Sequence, residues 1–224
     1  LVFRLMEDSV HTGLGYTALQ RKVNEWLPAR ITNKLANGNV ITLGQCMKHE
    51  TGIPDLISED RFYLAVLNNP NKKWGPEELL EYIYDKPAEF AAGDTAVYSN
   101  TNTVLVTMII EAQTGKRHAQ LLHDYVLKPL GLNNTYYQPH DALPSFTAQG
   151  YYDLYNNGSI VNVSNLVTGS GNGYGGLYSN IYDLYAFMDA MFIRGNFLLP
   201  SSQAIMKTWG KKDDTNYYGY GIQQ

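Results

Sequence analysis

The spacing of apolar positions predicts a chain made mostly of helices and loops. The clearest helix begins at Asn100 or Thr101 and ends at Gly115, because apolar residues recur along it at helical spacing and glycine favours a helix end. The same periodicity, read with capping and helix-breaking residues, predicts further helices over 1–8, 18–26, 42–49, 61–67, 75–84, 118–127, 180–191 and 201–209.

The region from 133 to 175 differs from the rest of the chain because it is rich in Tyr, Asn, Gly and Ser. This composition is typical of loops, and it leaves room for short strands only around 148–152 and 160–163. The remaining predictions are a loop over 9–17, a turn over 52–55 and a strand over 217–224. We find no internal repeat and no linker that cleanly separates two domains.

Composition and charge exclude several classes of protein. The chain has 224 residues, an apolar fraction of 44% and a formal net charge of −4, which suits a globular domain with its own core. No block of Lys and Arg stands out, which argues against nucleic-acid binding. The longest mostly apolar run, 104–110, is too short to span a membrane, and the single cysteine excludes an internal disulfide framework.

Two patterns could carry chemistry but have simpler interpretations. Residues 171–176 match G-x-G-x-x-G, yet polar loop precedes them instead of a buried strand, so they indicate a close approach of backbone. Cys46 and His49 could form a thiol–imidazole pair on one helix, but Cys46 lies on the apolar side, where cysteine is usually inert. The histidines lack zinc-ligand spacing, and we expect neither a metal nor a cofactor.

The triplet Tyr98-Ser99-Asn100 is a third candidate. Residues two apart in an extended segment point the same way, so the phenol and the carboxamide could face one cleft. A tyrosine becomes a useful proton acceptor only beside a cation that lowers its pKa. Tyr-x-Asn also occurs at 155–157 and 178–180, and 18 Tyr with 19 Asn make chance matches expected, so context has to decide.

Four stretches supply that context, in a fixed order along nearly the whole chain. They are 41–55 with His49-Glu50-Thr51-Gly52, 98–115 with Tyr98-Ser99-Asn100, 128–135 with Pro129-Leu130-Gly131, and 175–188 with Gly175-Gly176-Leu177. This ordered set resembles the serine β-lactamase and penicillin-binding protein family. The similarity is to the branch that contains class C β-lactamases, D-alanyl-D-alanine carboxypeptidases and related esterases.

The resemblance implies a fold and a mechanism. The fold is α+β, of the β-lactamase/transpeptidase type, and residues 1–224 would be the central part of one catalytic domain, chiefly its helical subdomain. In this family the serine of a Ser-x-x-Lys motif attacks an amide, lactam or ester carbonyl, while the lysine and the tyrosine of Tyr-x-Asn shuttle the proton. By position, the resemblance makes Tyr98 the catalytic tyrosine and Asn100 the residue that contacts the substrate amide.

The chain also departs from the family pattern. It contains no Ser-x-x-Lys, and no His-x-Gly or Lys-Thr-Gly follows Gly221. Glu50 stands where a small hydroxyl residue is usual. Residues 1–8 resemble the C-terminal end of the helix that bears the nucleophile, so we expect the serine upstream of Leu1. A central portion of this kind, taken alone, should expose a large apolar face.

The resemblance implies an exported bacterial serine hydrolase, periplasmic or extracellular, that acts through an acyl-enzyme. Its expected substrate is a β-lactam, a D-Ala-D-Ala peptide of peptidoglycan or a small ester. We expect no nucleic-acid partner and no membrane span within this chain. The alternative is a non-catalytic module on the same fold that binds peptidoglycan or another glycan.

Overall fold

The computed structural model describes residues 1–211 and 217–224. Within these residues the chain is mostly helical and its strands are short, as predicted. The α-helices are α1 Val2–Glu7, α2 Ser9–Thr12, α3 Ala29–Thr32, α4 Leu43–Met47, α5 Asp60–Asn68, α6 Pro76–Leu80, α7 Asn100–Thr114, α8 His118–Leu122, α9 Lys128–Leu130, α10 Ile181–Met188 and α11 Pro200–Met206. The segments Tyr16–Gln20, Val23–Glu25 and Leu56–Ser58 are 3₁₀-helical, and His123–Leu127 and Asp189–Ile193 are π-helical.

Helix α7 lies at the centre of the core and confirms the clearest prediction. It ends at Gly115, whose φ of 66° is the left-handed conformation that glycine adopts after a helix. Helix α4 packs against α7, and Leu43 and Val104 are fully buried members of one hydrophobic cluster. The packing of these two helices places the start of α7 beside the loop that follows α4.

The predicted cap of α4 is confirmed, but the helix is shorter than expected. Thr42 Oγ1 accepts a hydrogen bond from Gln45 N at 3.2 Å, and Gln45 Oε1 accepts one from Thr42 N at 2.9 Å, which is a capping box. The helix ends at Met47, and His49 adopts a φ of 57° outside it. Cys46 and His49 therefore do not share a helix face.

The helix predicted over 18–26 is wrong. Two 3₁₀ turns, Tyr16–Gln20 and Val23–Glu25, stand in its place. Between them Lys22 forms an isolated antiparallel bridge with Thr42. This long-range pairing satisfies backbone groups that a continuous helix would have used within itself.

Three further segments differ from prediction in length or kind. The loop predicted over 9–17 contains the short helix α2, and the helix predicted over 75–84 ends at residue 80 in α6. The helix predicted over 118–127 continues through a π-helical turn and α9 to residue 130. The π-helical turn lies just before Pro129, which has no N–H and whose ring clashes with the carbonyl four residues earlier in a regular helix.

The strands of the described ranges form two antiparallel pairs. Strand β1 is Tyr136–Tyr137, β2 is Tyr151–Tyr152, β3 is Val161–Asn162 and β4 is Leu177–Tyr178. The pairing of β2 with β3 confirms the two predicted strands. The pairing of β1 with β4 was not predicted, and it closes the region between them into a loop that includes the glycine segment 171–176.

Two surfaces bear on the functional site. Residues 217–224 form a tight turn, with a bridge between Tyr218 and Gln223, where a longer strand was predicted. Gly221 N donates to Met47 O at 3.0 Å, so this turn rests on the end of α4. Helix α10 and the π-helical turn after it expose apolar side chains, with the largest exposed fractions at Ile181, Tyr182, Tyr185 and Ile193.

Candidate active site

Tyr98 and Asn100 lie side by side where the chain enters α7. The Tyr98 hydroxyl donates a hydrogen bond to Asn100 Oδ1 at 3.2 Å. Tyr98 is 49% exposed, whereas Ser99 between the two is 1% exposed. The phenol and the carboxamide therefore lie on one side of the backbone, as the triplet predicts.

Asp55 orients the Asn100 side chain. Its Oδ1 accepts from Asn100 N at 3.1 Å, and its Oδ2 accepts from Asn100 Nδ2 at 2.9 Å. Because the carboxylate binds the amide nitrogen, the amide oxygen is turned towards Tyr98. Asp55 Oδ1 also accepts from Ile57 N at 3.3 Å, which connects this site to the 3₁₀ turn that follows.

His49 lies against the Tyr98 ring and is held in one protonation state. The two ring centroids are 4.5 Å apart, and the Tyr218 ring approaches His49 edge-on at 5.5 Å. His49 Nδ1 lies 3.2 Å from Ser99 N, which donates to it, and 3.3 Å from Asn102 Nδ2. Burial lowers the pKa of His49 to about 4, so the ring is neutral at pH 7.

A buried polar network joins the loop after α4 to the first turn of α7. Thr51 Oγ1 donates to Asn102 Oδ1 at 2.6 Å and accepts from Ile53 N at 3.2 Å. Thr101 Oγ1 donates to Pro54 O at 2.7 Å. Buried networks whose members are satisfied favour one arrangement of the groups they connect. This network holds the ends of both elements that present the site.

The electrostatic surroundings keep Tyr98 protonated. Burial, and then the negative charge of Asp55, raise the pKa of Tyr98. A protonated phenol is a hydrogen-bond donor, which agrees with its bond to Asn100. Within residues 1–211 and 217–224, no cation acts on this pKa. Tyr98 would need a nearby cation before it could accept a proton at neutral pH.

A mostly apolar cavity of about 640 Å³ adjoins this site. His49 is the residue that connects the two, since it lines the cavity, whereas Tyr98 and Asn100 do not. Leu1 also lines the cavity. The other walls come from α1, α4, α7, the glycine segment and the C-terminal turn, including Phe3, Met47, Val106, Gly173 and Ile222.

The other sequence candidates do not join the site. Cys46 is fully buried, and burial raises the pKa of its thiol to about 12, so it is unreactive and forms no pair with His49. Tyr155 lies in an exposed turn and Tyr178 in β4. Over the described parts of the chain, no group of three or more His, Cys, Asp and Glu side chains is arranged to hold a metal ion.

Sequence reasoning missed the residues that hold the tyrosine and the asparagine in place. Asp55 and His49 both lie in the stretch 41–55 that carries the family resemblance, which was the available signal. Their contacts with Tyr98 and Asn100 depend on the packing of α4 on α7, which the sequence pattern does not reveal.

Comparison with known proteins settles the family. The sequence model of the Beta-lactamase family matches residues 15–224. This chain belongs to that family. A curated relative, the putative D-alanyl-D-alanine carboxypeptidase of Escherichia coli (strain K12), is 24% identical over 204 residues. The match covers 80% of this chain but 46% of the relative, so the chain spans less than half the length of that protein.

Solved structures of beta-lactamase family type confirm the fold. A D-stereospecific amidohydrolase from Streptomyces sp. superposes with a TM-score of 0.83 at 25% identity, covering 99% of this chain and 67% of that one. A penicillin-binding protein from Bacillus halodurans gives a TM-score of 0.75 at 23% identity, covering 99% of this chain and 66% of that one. The α+β fold of the β-lactamase/transpeptidase type is therefore shown for this chain.

Proposed function

We propose that this chain is the central part of a single beta-lactamase-type catalytic domain that hydrolyses an amide, lactam or ester bond by acyl-enzyme chemistry. The observation that carries the proposal is the oriented pair of Tyr98 and Asn100 at the start of α7. The names of a D-alanyl-D-alanine carboxypeptidase and a D-stereospecific amidohydrolase among similar proteins favour a D-aminoacyl amide or D-Ala-D-Ala peptide as substrate.

In the proposed reaction Tyr98 moves the proton and Asn100 positions the substrate. A serine hydroxyl attacks the carbonyl carbon, a C–O bond forms, and the hydroxyl proton passes to the tyrosine through a lysine. The C–N bond then breaks, and the leaving amine takes that proton from Tyr98. Water hydrolyses the acyl-serine ester and restores the serine. Asn100 binds the substrate amide while Asp55 holds it in place.

The proposal requires a Ser-x-x-Lys motif that the 224 residues do not contain. The apolar cavity beside His49 supports a place for it, because the first residues of α1 line this cavity. We place the motif on a helix that continues α1 upstream of Leu1, with its lysine beside Tyr98. That cation would offset the effect of Asp55 and lower the pKa of Tyr98.

The first experiment is to sequence the reading frame upstream of Leu1 and to label the full-length protein with a fluorescent penicillin or a fluorophosphonate. We expect Ser-x-x-Lys upstream and a covalent label on its serine. The substrate class is tested with matched D- and L-aminoacyl amides, and we expect hydrolysis of the D form. Absence of the motif together with absence of labelling would refute the hydrolase proposal.

The second candidate function is a non-catalytic module that binds peptidoglycan or another glycan. The observation that favours it is the lack of Ser-x-x-Lys in the chain, together with the raised pKa of Tyr98. An intact mass of 25.2 kDa and tight binding of muropeptides without turnover would favour this module. A larger mass with turnover would favour the enzyme.

We also propose a periplasmic or extracellular location, in keeping with relatives named as D-alanyl-D-alanine carboxypeptidases. Among the described residues, the helices are all too short or too polar to cross a bilayer. Fractionation of the producing bacterium tests the location, and we expect the protein outside the cytoplasm.

A further inference from the structure

Asparagine is followed by glycine at three places in this chain, and the structure holds the three pairs in different ways. The pairs are Asn37-Gly38, Asn157-Gly158 and Asn172-Gly173. In such a pair the glycine nitrogen can attack the asparagine amide carbon, because glycine has no side chain to obstruct the approach. The attack needs a backbone that can move and an amide nitrogen that can leave. The surroundings of each pair therefore decide whether it reacts.

Packing holds two of the pairs in place. In each, the asparagine Nδ2 donates two hydrogen bonds to backbone carbonyls, at 2.8 and 3.0 Å from Asn37 and at 3.0 and 2.9 Å from Asn172. The glycine backbone has no room to move, because a Cβ on Gly38 or Gly173 would lie 2.2 Å from an oxygen atom of a neighbouring residue. Ring closure at either pair would break these hydrogen bonds and displace packed backbone.

The pair Asn157-Gly158 is open where the other two are packed. Both residues are exposed between β2 and β3, and a Cβ on Gly158 would meet no atom of the described residues within 4 Å beyond its neighbours in the chain. Across residues 1–211 and 217–224, Asn157 Nδ2 has no hydrogen-bond partner, so the nitrogen that must leave is open to water. This pair has both the room and the free amide that the reaction needs.

The turn also places two polar groups beside the atoms that would react. Asp153 Oδ2 accepts from Gly158 N at 2.8 Å, and its Oδ1 accepts from Asn157 N at 3.0 Å. The attacking nitrogen must lose its proton, and a carboxylate within hydrogen-bond reach can take that proton as a general base. Ser159 N donates to Asn157 Oδ1 at 2.9 Å, so a donor faces the oxygen on which negative charge develops.

We propose that Asn157 is a site of self-catalysed modification, converted to aspartate and isoaspartate with Asp153 as the general base. Gly158 N bonds to Asn157 Cγ while its proton passes to Asp153 Oδ2, and the Cγ–Nδ2 bond breaks as Nδ2 takes up that proton and leaves as ammonia. Water then opens the cyclic imide at either carbonyl. The product places a second carboxylate near Asp153 and makes the formal net charge of −4 one unit more negative. The proposal does not depend on the hydrolase function.

The test compares the three pairs within one protein and needs no activity. The full-length protein is incubated at pH 7, folded and unfolded in guanidinium chloride, and peptide mapping by mass spectrometry follows aspartate and isoaspartate at each pair. In the unfolded chain the three pairs should react at similar rates. In the folded protein Asn157 should react about tenfold or more faster than in the unfolded chain, since a positioned general base contributes at least this much. Asn37 and Asn172 should react about tenfold or more slower, because two hydrogen bonds must break.

A substitution separates the role of the base from mere exposure. Asp153→Asn keeps the shape of the side chain and should slow the reaction of Asn157 in the folded protein about tenfold or more. The matched control is Asp60→Asn, which removes an exposed carboxylate in α5 and should leave the rate unchanged. An Asn157 that reacts no faster in folded wild-type protein than in the unfolded chain would overturn the proposal, and this result requires no variant to fold. Equal rates in Asp153→Asn and the wild type would overturn it as well.

Discussion

Removal of the Asp55 carboxylate should destabilise the start of α7 and disturb the tyrosine–asparagine pair. Asp55→Ala deletes the acceptor for Asn100 N, Asn100 Nδ2 and Ile57 N. Asn100 is buried, so its amide loses these partners without gaining full access to water. Asp55→Asn keeps the shape of the side chain. Its amide has one oxygen to accept the two hydrogen bonds that Asn100 donates to the carboxylate.

The expected loss follows from these contacts. A hydrogen bond to a charged group contributes about 1.5–3 kcal/mol, and the bonds to one carboxylate are not additive. Because Asp55 is partly exposed, we expect Asp55→Ala to lower the free energy of unfolding by about 2–3 kcal/mol, which corresponds to about 4–12 °C in Tm for a chain of this size. Asp55→Asn should cost about 1 kcal/mol and lower the pKa of Tyr98, because the charge of Asp55 is one of the two causes that raise it.

Urea unfolding followed by circular dichroism measures the stability change, and NMR of the Tyr98 ring measures its pKa. The matched control is Asp60→Ala, which removes an exposed carboxylate from the first residue of α5 and should change stability by less than about 0.5 kcal/mol. If Asp55→Ala is as stable as the control, or the pKa of Tyr98 rises in Asp55→Asn, then Asp55 does not hold the site as described.

Three further predictions concern the packing and the buried titratable groups around the site. The pKa of His49 is about 4 in the folded protein and about 6.5 in an unfolded chain. The neutral ring therefore contributes roughly 3 kcal/mol to the free energy of unfolding above pH 6.5, and this contribution is lost as the pH falls through 4. Urea unfolding at pH 7 and pH 4 should show this loss in the wild type and not in His49→Asn. Cys46 should react with a thiol reagent only after unfolding, and reaction of the native protein at the rate of a free thiol would contradict its burial. Gly173→Ala should lower the free energy of unfolding, measured by thermal unfolding, by more than about 2 kcal/mol, because the new Cβ clashes with Thr107 and the φ is +102°. The control Gly158→Ala, with a φ of +79° and open space around it, should lower it by about 1 kcal/mol. Equal losses would mean that the glycine segment does not pack against α7.

Local signals in the sequence predicted the elements whose stability is local. Helix α7 combines apolar periodicity with a terminal glycine, and α4 and α10 begin at the capping residues Thr42 and Asn180. The same signals failed where a distant partner competed for the backbone. Lys22 pairs with Thr42, and this bridge lies where a continuous helix was predicted. Strand β1 pairs with β4 about forty residues away, and no alternation of apolar and polar residues in the sequence predicts either strand.

The sequence motif predicted two residues of the candidate site, Tyr98 and Asn100. It did not predict Asp55 and His49, whose positions depend on packing. The geometry of Tyr98 and Asn100 followed from their spacing of two residues in an extended segment. The contact of Asp55 with Asn100 and the stacking of His49 on Tyr98 follow from the way that α4 meets α7. The left-handed conformation of His49, which removes it from α4 and turns it towards Tyr98, has no signal in the sequence.

The central claim is that Tyr98 transfers the proton in acyl-enzyme hydrolysis, and one substitution tests it most directly. Steady-state hydrolysis of a D-aminoacyl amide is measured for the full-length protein and for Tyr98→Phe, with Tyr178→Phe from another Tyr-x-Asn triplet as the control. The account predicts a loss of about 10²–10⁴ in kcat for Tyr98→Phe with stability retained, and no loss for the control. A Tyr98→Phe enzyme that keeps the wild-type kcat would contradict it.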